Sequence, residues 1–298
     1  MLALPTLRSL LSSNHQIAGI ITTPDRPAGR GQKIYQSELA VSLAHSDLAK
    51  ANLTIAKPQS DIDLRQTLQS LSPDVVITIS YGKLIKEAEL ALPKHGWVNL
   101  HFSLLPRYRG AAPVQRALLD GASSTGVTVF KLDQGMDTGP IYRQREFPLQ
   151  ARETTGDLLT SLAALGADEV MGALQAIEAG EIPRIQDDEK SSLAPKISTS
   201  EARISWGDEA EIIDRKIRAF HPKPGAWTTF RNRRVVLTGG EVVSSQGSPG
   251  EITDIQNLVV ATARDSIRIT SVIPEGKREM SAQEWARGLR ISSNECFE

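Results

Sequence analysis

The sequence predicts an α/β fold, an open and mostly parallel Rossmann-like sheet with helices on both faces, followed by a small OB-like β-barrel. Strand-like and helix-like segments alternate along the first half, as in βαβ units. Residues 74–80 form a nearly continuous β-branched run, typical of a strand buried on both faces of a parallel sheet. The C-terminal third holds short apolar stretches separated by Gly and Pro, a pattern typical of small barrels.

The first half supplies the elements of the predicted sheet. Leucines at positions 7, 10 and 11 share one face of a helix predicted over residues 5–11. The next predicted elements are a strand, a helix, a strand, a helix and a strand, at residues 17–22, 37–51, 53–56, 63–70 and 74–80. In such sheets ligands bind beyond the carboxyl ends of the strands. No Gly-x-Gly-x-x-Gly pattern follows the first strand, so a dinucleotide is not indicated.

A strand with a polar face is predicted over residues 97–103. Apolar and polar side chains alternate along it, so one face carries an amide, an imidazole and a hydroxyl, from Asn99, His101 and Ser103. Pro106 then ends the strand. An acidic, glycine-rich loop at residues 133–140 follows another predicted strand, at 126–132. If the two strands end at one edge, Asp137 would approach Asn99 and His101.

An amide, an imidazole and a carboxylate suit acyl transfer in which the nucleophile belongs to the substrate. The amide can hold a developing oxyanion, the imidazole can donate a hydrogen bond to it or move a proton, and the carboxylate can orient the imidazole. The structural alternative is that Asn99 caps a strand end, His101 is a hydrogen-bonded core histidine and Asp137 is a turn residue.

The second half begins with a hairpin strand at residues 139–149 and a long helix at 155–179 that covers one face of the sheet. Residues 183–200, rich in Pro, Ser and charge, are predicted to link a domain at 1–182 to one at 201–298. The second domain is predicted to hold a helix at 210–220 and five strands, at 226–230, 234–238, 250–255, 258–262 and 266–272.

Two segments are strongly basic in a chain whose formal net charge is -1. Residues 23–33 are rich in Pro and Gly and are expected to form a mobile loop carrying Arg26, Arg30 and Lys33. The window 215–234 contains no acidic residue and seven basic ones: Arg215, Lys216, Arg218, Lys223, Arg231, Arg233 and Arg234. Such segregation predicts a phosphate-binding surface. The alternatives are a solvated connector and a purely structural barrel.

Composition indicates an ordinary globular protein, with 40% hydrophobic and 23% charged residues. The single cysteine, Cys296, permits no disulfide framework, and the five histidines show no metal-binding spacing, so no metal is expected. No apolar run approaches the roughly 18 residues of a membrane span, and no signal peptide is apparent. We expect a cytoplasmic monomer.

The combined motifs resemble the folate-dependent formyltransferases, and most closely those that act on methionyl-tRNA. Residues 99–106, 109–113, 125–128, 133–139 and 220–227 carry the resemblance, which runs along nearly the whole chain. It implies formyl transfer from 10-formyltetrahydrofolate to the α-amino group of methionine on initiator tRNA. It further implies catalytic roles for Asn99, His101 and Asp137. The implied folate contacts are Ser103, Leu104, Leu105 and Pro106, and the implied tRNA contacts in the first basic segment are Arg26, Arg30 and Lys33.

The resemblance departs at the N-terminus, where the family carries a central strand and a Gly-Thr-Pro turn before its first helix. Each unpaired, buried backbone group in the neighbouring strands would cost about 1–3 kcal/mol. We therefore expect either that the true start lies upstream or that the enzyme is damaged. An added strand of about 5–6 residues should raise stability and activity.

Two other functions remain open from the sequence. A related enzyme would use the same folate chemistry on the amine of a sugar nucleotide or a purine precursor. A protein of another class would bind tRNA without turnover.

Overall fold

The computed structural model describes residues 2–28, 32–51, 53–292 and 295–298. The chain divides into two compact units. The first unit contains the chain up to Ala111, Ser124–Pro148 and Leu159–Ala194, and the second contains Ala112–Ser123, Leu149–Leu158 and Pro195–Glu298. Residues 183–194 of the predicted linker therefore belong to the first unit. The predicted domain limits, 1–182 and 201–298, stay a prediction.

Elements are named in chain order. The α-helices are α1 (Leu4–Leu11), α2 (Glu38–Ala44), α3 (Asp61–Leu71), α4 (Glu87–Leu90), α5 (Pro113–Leu119), α6 (Thr155–Glu178), α7 (Ala210–Phe220) and α8 (Ala282–Leu289), with 3-10 turns at Asp47–Lys50 and Asp188–Lys190. The strands are β1 (Ile20–Ile21), β2 (Arg26–Ala28), β3 (Lys33–Tyr35), β4 (Ile55–Ala56), β5 (Val76–Ile79), β6 (Trp97–His101), β7 (Ser124–Lys131), β8 (Ile141–Pro148), β9 (Ala226–Phe230), β10 (Arg233–Val243), β11 (Ile252–Asp254), β12 (Val259–Ala261), β13 (Ser266–Pro274) and β14 (Met280–Ser281).

A four-stranded sheet in the order β5-β6-β7-β8 positions the polar strand of the first unit. β5 and β6 are parallel, whereas β7 and β8 continue the sheet as an antiparallel hairpin. β1 and β4 form a separate parallel pair. The predicted α/β class is confirmed, and so is the hairpin at residues 139–149.

The strand β5 is less buried than its β-branched sequence predicts. Of its residues only Thr78 is buried, and the other three are half-buried. In the part of the chain that the structure describes, β5 pairs with β6 alone, so its other edge forms no hydrogen bonds with a neighbouring strand. Ile21 of β1 and Val76 of β5 nevertheless pack on one core cluster with Leu68 and Trp97. The benefit of an added strand stays a prediction.

The prediction of an irregular loop at residues 23–33 is wrong for residues 26–28 and 33, which lie in strands, whereas residues 23–25 have no regular secondary structure. The predicted mobility stays a prediction. β2 and β3 form an antiparallel ribbon in which Pro27 lies opposite Ile34. A two-stranded ribbon leaves one edge of each strand open, and proline is tolerated in such edge strands. Arg30 lies outside the described residues.

The long helix α6 packs closely on the strand that carries the polar face. A methyl group at Gly166 would lie 2.6 Å from a methyl carbon of Leu100 in β6. The absence of a side chain at Gly166 therefore lets α6 approach this strand, where Leu100 is 1% exposed. This packing fixes the apolar face of β6 and leaves its polar face toward the candidate site.

The second unit contains a sheet in the order β11-β12-β13-β10-β9, antiparallel throughout, with β14 paired to β13. Its two edge strands are joined by the end of the chain. The Phe297 N–H donates to the carbonyl of Gly250 beside β11 (2.9 Å), and the Glu298 N–H donates to the carbonyl of Thr229 in β9 (3.0 Å). The Phe297 ring packs on Trp206, Phe230 and Trp285. The predicted small barrel is confirmed.

Candidate active site

Asn99 lies on β6 with its carboxamide held by the neighbouring strand. Its Nδ2 donates to Thr78 Oγ1 (2.7 Å), and the Thr78 hydroxyl in turn donates to the carbonyl of Val98 (3.2 Å). An amide nitrogen carries two N–H groups, and these contacts occupy one of them. The second N–H of Asn99 has no hydrogen-bond partner among the described residues, so the side chain is oriented and keeps a donor available.

His101 lies two residues further along β6 and is 6% exposed. Its Nε2 lies 2.9 Å from the carbonyl oxygen of Tyr108, which can only accept a hydrogen bond, so Nε2 carries the proton. Burial lowers the pKa of His101, although the Asp137 carboxylate and the Tyr108 carbonyl partly oppose this effect. The neutral imidazole therefore has its lone pair on Nδ1.

Asp137 faces that lone pair. Its Oδ2 lies 3.7 Å from His101 Nδ1 and accepts a hydrogen bond from the backbone N–H of Gly110 (2.8 Å). The residue adopts a left-handed backbone conformation, with φ at 57°. The structure thus brings Asp137 to His101, while Asn99 lies on the same face of β6. A distance of 3.7 Å is too long for a direct hydrogen bond but short enough for strong electrostatic coupling.

In the segment from Ser103 to Pro106, two side chains are buried and two are half-buried. Ser103 is fully buried and donates its hydroxyl to the carbonyl of Arg107 (2.7 Å). Leu105 packs in a cluster with Phe130 and Ile141. Leu104 and Pro106 are half-buried, so these two keep surface available for a ligand. Ser103 therefore uses its hydroxyl proton within the fold, and its contact with the folate stays a prediction.

The basic residues of the first segment lie on the ribbon. Arg26 in β2 and Lys33 in β3 are both exposed. The side chains of Ile34 and Tyr35 beside them are also exposed, at 74% and 57%. This ribbon therefore presents cations together with an apolar and an aromatic side chain.

The basic window 215–234 carries fewer unpaired positive charges than its sequence suggests. Four of its cations lie within 4 Å of carboxylates outside the window, in the pairs Arg215–Glu211, Lys216–Asp208, Arg218–Asp214 and Arg231–Glu295. Arg234 stacks on Trp227, with its guanidinium carbon 4.4 Å from the ring centroid. Lys223 and Arg233 are exposed. These acids lie on α7, on the turn before it and in the C-terminal segment, so the composition of the window overstates its unpaired positive charge.

Sequence reasoning missed three residues that shape this site: Thr78, Tyr108 and Gln186. Thr78 is a polar residue within a β-branched run, which is a weak signal. Tyr108 acts through its backbone carbonyl, which no sequence pattern exposes. Gln186 is 6% exposed and donates to the carbonyls of Asp137 (2.9 Å) and Gly139 (2.7 Å). It lies in the predicted linker, where composition carried no signal of burial.

Neither a cluster of metal ligands nor a membrane-spanning helix is found among the described residues. No group of three or more His, Cys, Asp or Glu side chains among them is placed to hold a metal ion. No helix in the described part is long and apolar enough to cross a membrane.

Comparison with known proteins identifies the family. Residues 4–174 match the formyl transferase family, and residues 196–290 match the formyl transferase C-terminal domain. The methionyl-tRNA formyltransferase of Acidothermus cellulolyticus is 41% identical over 318 residues, covering 99% of this chain and 97% of its own. That of Salinispora tropica is 42% identical over 301 residues, covering 99% and 96%.

A solved structure shares the fold. HypX from Aquifex aeolicus, in complex with tetrahydrofolic acid, superposes with a TM-score of 0.67 at 17% identity, over 89% of this chain and 46% of HypX. The two family matches together, and each of the two relatives, cover this chain almost from end to end. The chain belongs to the formyl transferase family.

Proposed function

We propose that this protein transfers the formyl group of 10-formyltetrahydrofolate to the amino group of methionyl-tRNA, the initiator of translation. The observation that carries the proposal is the arrangement of Asn99, His101 and Asp137 at the end of β6, in a chain about 40% identical along its length to enzymes of that name. No protein nucleophile is needed, because the attacking amine belongs to the substrate.

The amine attacks the formyl carbon, and the carbonyl oxygen becomes an oxyanion. The second N–H of Asn99 donates to this oxyanion, and the bond to Thr78 keeps the carboxamide in place during the step. A donor oriented before the reaction costs no reorganisation in the transition state. Losing one such donor typically slows turnover by about 10²–10³-fold.

His101, supported by Asp137, transfers the proton from the attacking amine to the departing nitrogen. After the attack the former amine is an ammonium, and Nδ1 of the neutral His101 accepts its proton. The Asp137 carboxylate, 3.7 Å away, stabilises the imidazolium that results. The carbon–nitrogen bond to the folate then breaks, the carbonyl re-forms, and the same proton passes from Nδ1 to the departing nitrogen. The products are formylmethionyl-tRNA and tetrahydrofolate.

This route refines the expected role of His101 at the oxyanion. Because the Nε2 proton is bound by the Tyr108 carbonyl, any hydrogen bond from His101 to the reacting atoms must come from a protonated Nδ1. His101 therefore donates only after it has received the proton, and Asn99 is the donor from the start.

The half-buried side chains of Leu104 and Pro106 would contact the folate, whereas Ser103 and Leu105 support the segment from inside. The exposed cations Arg26, Lys33, Lys223 and Arg233 would contact tRNA phosphates. Arg30, which lies outside the described residues, is proposed from the family resemblance.

The proposal is tested by replacing the three polar residues separately with alanine. Asn99→Ala, His101→Ala and Asp137→Ala should each lower kcat for methionyl-tRNA by about 10²-fold or more. Asp168→Ala, at an exposed position on α6, is the control and should leave kcat unchanged. Folded variants at positions 99, 101 and 137 with kcat near that of the parent would remove these residues from the mechanism.

A further inference from the structure

Residues 184–194, here called the strap, are hydrogen-bonded at both ends to segments next to the candidate site. At its start Arg184 exchanges two backbone hydrogen bonds with Ile141 (2.7 and 2.8 Å). Near its end Ala194 donates to the carbonyl of Arg109 (2.7 Å), and Arg109 donates to the carbonyl of Ser192 (2.8 Å). The strap is therefore part of the first unit, although its composition predicts a linker.

Gln186 is the buried centre of the strap. Its Oε1 accepts from both Nε (3.2 Å) and Nη2 (2.7 Å) of Arg109, and its Nε2 donates to the carbonyls of Asp137 and Gly139. One carboxamide thus makes four hydrogen bonds while 6% exposed. The guanidinium of Arg109 also forms an ion pair with Asp188 (2.7 Å), another residue of the strap.

These contacts bear on the backbone of Asp137. Asp137 adopts a left-handed backbone conformation, which is less favourable than for glycine even though Asp tolerates it better than most residues, and hydrogen bonds from surrounding groups help to hold it. Gln186 binds the carbonyl of Asp137 itself and that of Gly139, two residues on. Gly110, which follows Arg109, donates to the Asp137 carboxylate. Gln186 therefore connects the two segments that aim this carboxylate at His101.

The strap also contacts the segment that orients His101. The backbone N–H of Tyr108 donates to Ser192 Oγ (2.9 Å), and the carbonyl of the same residue accepts from His101 Nε2. Ser192 also donates its own N–H to the carbonyl of Pro106 (3.2 Å). One short strap thus holds the backbone on both sides of the His101–Asp137 pair.

We propose that Gln186 is a positioning residue for formyl transfer, which sets the Asp137 carboxylate against His101 by binding the Asp137 and Gly139 carbonyls. This inference rests on the proposed role of Asp137. Gln186 does not touch the reacting atoms, so its removal should change the rate of the chemical step and leave substrate binding intact.

Two substitutions separate this role from general support of the fold. Gln186→Glu keeps both bonds from Arg109 and removes the two donated to the loop carbonyls. Gln186→Met removes all four while preserving side-chain length. Both should lower kcat about tenfold to a hundredfold, because small displacements of reacting groups have effects of that size. KM for methionyl-tRNA and for 10-formyltetrahydrofolate should stay within about twofold. Gln175→Met, exposed on α6, is the matched control.

A double-mutant cycle with Asp137→Asn supplies the decisive comparison. If Gln186 acts through Asp137, Gln186→Met should cost less than about twofold in kcat once Asp137 is replaced, whereas independent effects would multiply. Should Gln186→Met not fold, the kcat of Gln186→Glu decides alone. Parental kcat in either folded Gln186 variant, or multiplied losses in the double variant, would overturn the inference. Parental kcat in Asp137→Asn would overturn the proposed site as well.

Discussion

The nitrogen of His101 that faces Asp137 is the one that carries the lone pair. This follows from a single contact, because the Tyr108 carbonyl cannot donate and so assigns the proton to Nε2. The buried imidazole then accepts a proton at Nδ1, beside a carboxylate that stabilises the charged form. Burial and Asp137 act in opposite directions on the pKa of His101, and burial has the larger effect.

This balance predicts a pH dependence. His101 must be neutral to accept the amine proton, so kcat should fall as the pH drops through its lowered pKa. The Asp137 carboxylate raises that pKa, so Asp137→Asn should lower it further and move the acidic limb of the kcat profile to lower pH. The plateau should also fall, by about 10²-fold. Profiles measured beside Asp168→Asn would show this. A limb that stays in place or moves to higher pH would contradict the assignment.

Local sequence patterns predicted individual residues of the site, whereas their hydrogen-bond partners from distant parts of the chain could not be predicted. Alternation along β6 assigns Asn99 and His101 to one face because side-chain direction depends only on the strand period. The partners Thr78 and Tyr108 could not be predicted, since one lies on another strand and the other contributes only a backbone carbonyl. Gln186 lies 49 residues from Asp137, and only the folded chain brings them together.

The strand β7 connects sheet packing to the proposed folate segment. A methyl group at Gly126 would overlap the carbonyl oxygen of Arg145 on β8 and the side chain of Leu104. Glycine therefore lets Leu104 lie against the sheet, which supports the turn that follows β6. Sequence reasoning singled out the surrounding residues 125–128 by resemblance, whereas the close approach itself is visible only in the fold.

Gly126→Ala should therefore lower stability by about 1–3 kcal/mol, as overpacking does. Displacement of Leu104 should also raise KM for 10-formyltetrahydrofolate more than KM for methionyl-tRNA. Denaturant unfolding and steady-state kinetics measure the two effects. Gly288→Ala in α8, where a methyl group meets open space, should be neutral or slightly stabilising. Equal stability of Gly126→Ala and the parent would contradict this packing argument.

Most long elements could be predicted because hydrophobic periodicity and turn residues are local. Helix α7 and strand β9 have the predicted bounds. The ribbon of β2 and β3 could not be predicted, since its Pro and Gly content favours irregular backbone and pairing alone makes it extended. Helices α5 and α8 were also missed; the capping box of Ser281 and Glu284 was an available signal for α8.

The net charge of the chain does not show which cations can bind phosphates, whereas the ion pairs in the folded structure do. The basic window of the second unit contains no acid, yet folding brings Glu295 to Arg231 and Asp208 to Lys216. The barrel itself is completed by residues 295–298, whose backbone joins β9 and the start of β11. Closure of the barrel and the Arg231–Glu295 pair could not be predicted from a window of sequence, because each joins segments far apart in the chain, 64 residues apart for the ion pair. Asp208 lies eight residues before Lys216, so that carboxylate is a local partner just outside the basic window.

This pairing sharpens the expected salt dependence of tRNA binding. Replacing Arg26, Lys33 or Arg233 with alanine should reduce the slope of log affinity against log salt by about one for each phosphate-binding cation removed. Lys216→Ala should leave the slope unchanged, because its ammonium lies 2.9 Å from Asp208 and its side chain is 20% exposed. Titrations at several salt concentrations measure the slopes. A triple variant with the parental slope would show that these cations do not contact tRNA.

The central claim is that this chain moves a formyl group from a folate to methionyl-tRNA. The most direct measurement is the rate at which the purified protein formylates three acceptors in the presence of 10-formyltetrahydrofolate: methionyl-tRNA, free methionine and an amino sugar nucleotide. We expect rapid formylation of methionyl-tRNA and negligible formylation of the other two. Comparable transfer to the sugar amine, or tight binding of methionyl-tRNA with no formyl transfer, would contradict the account.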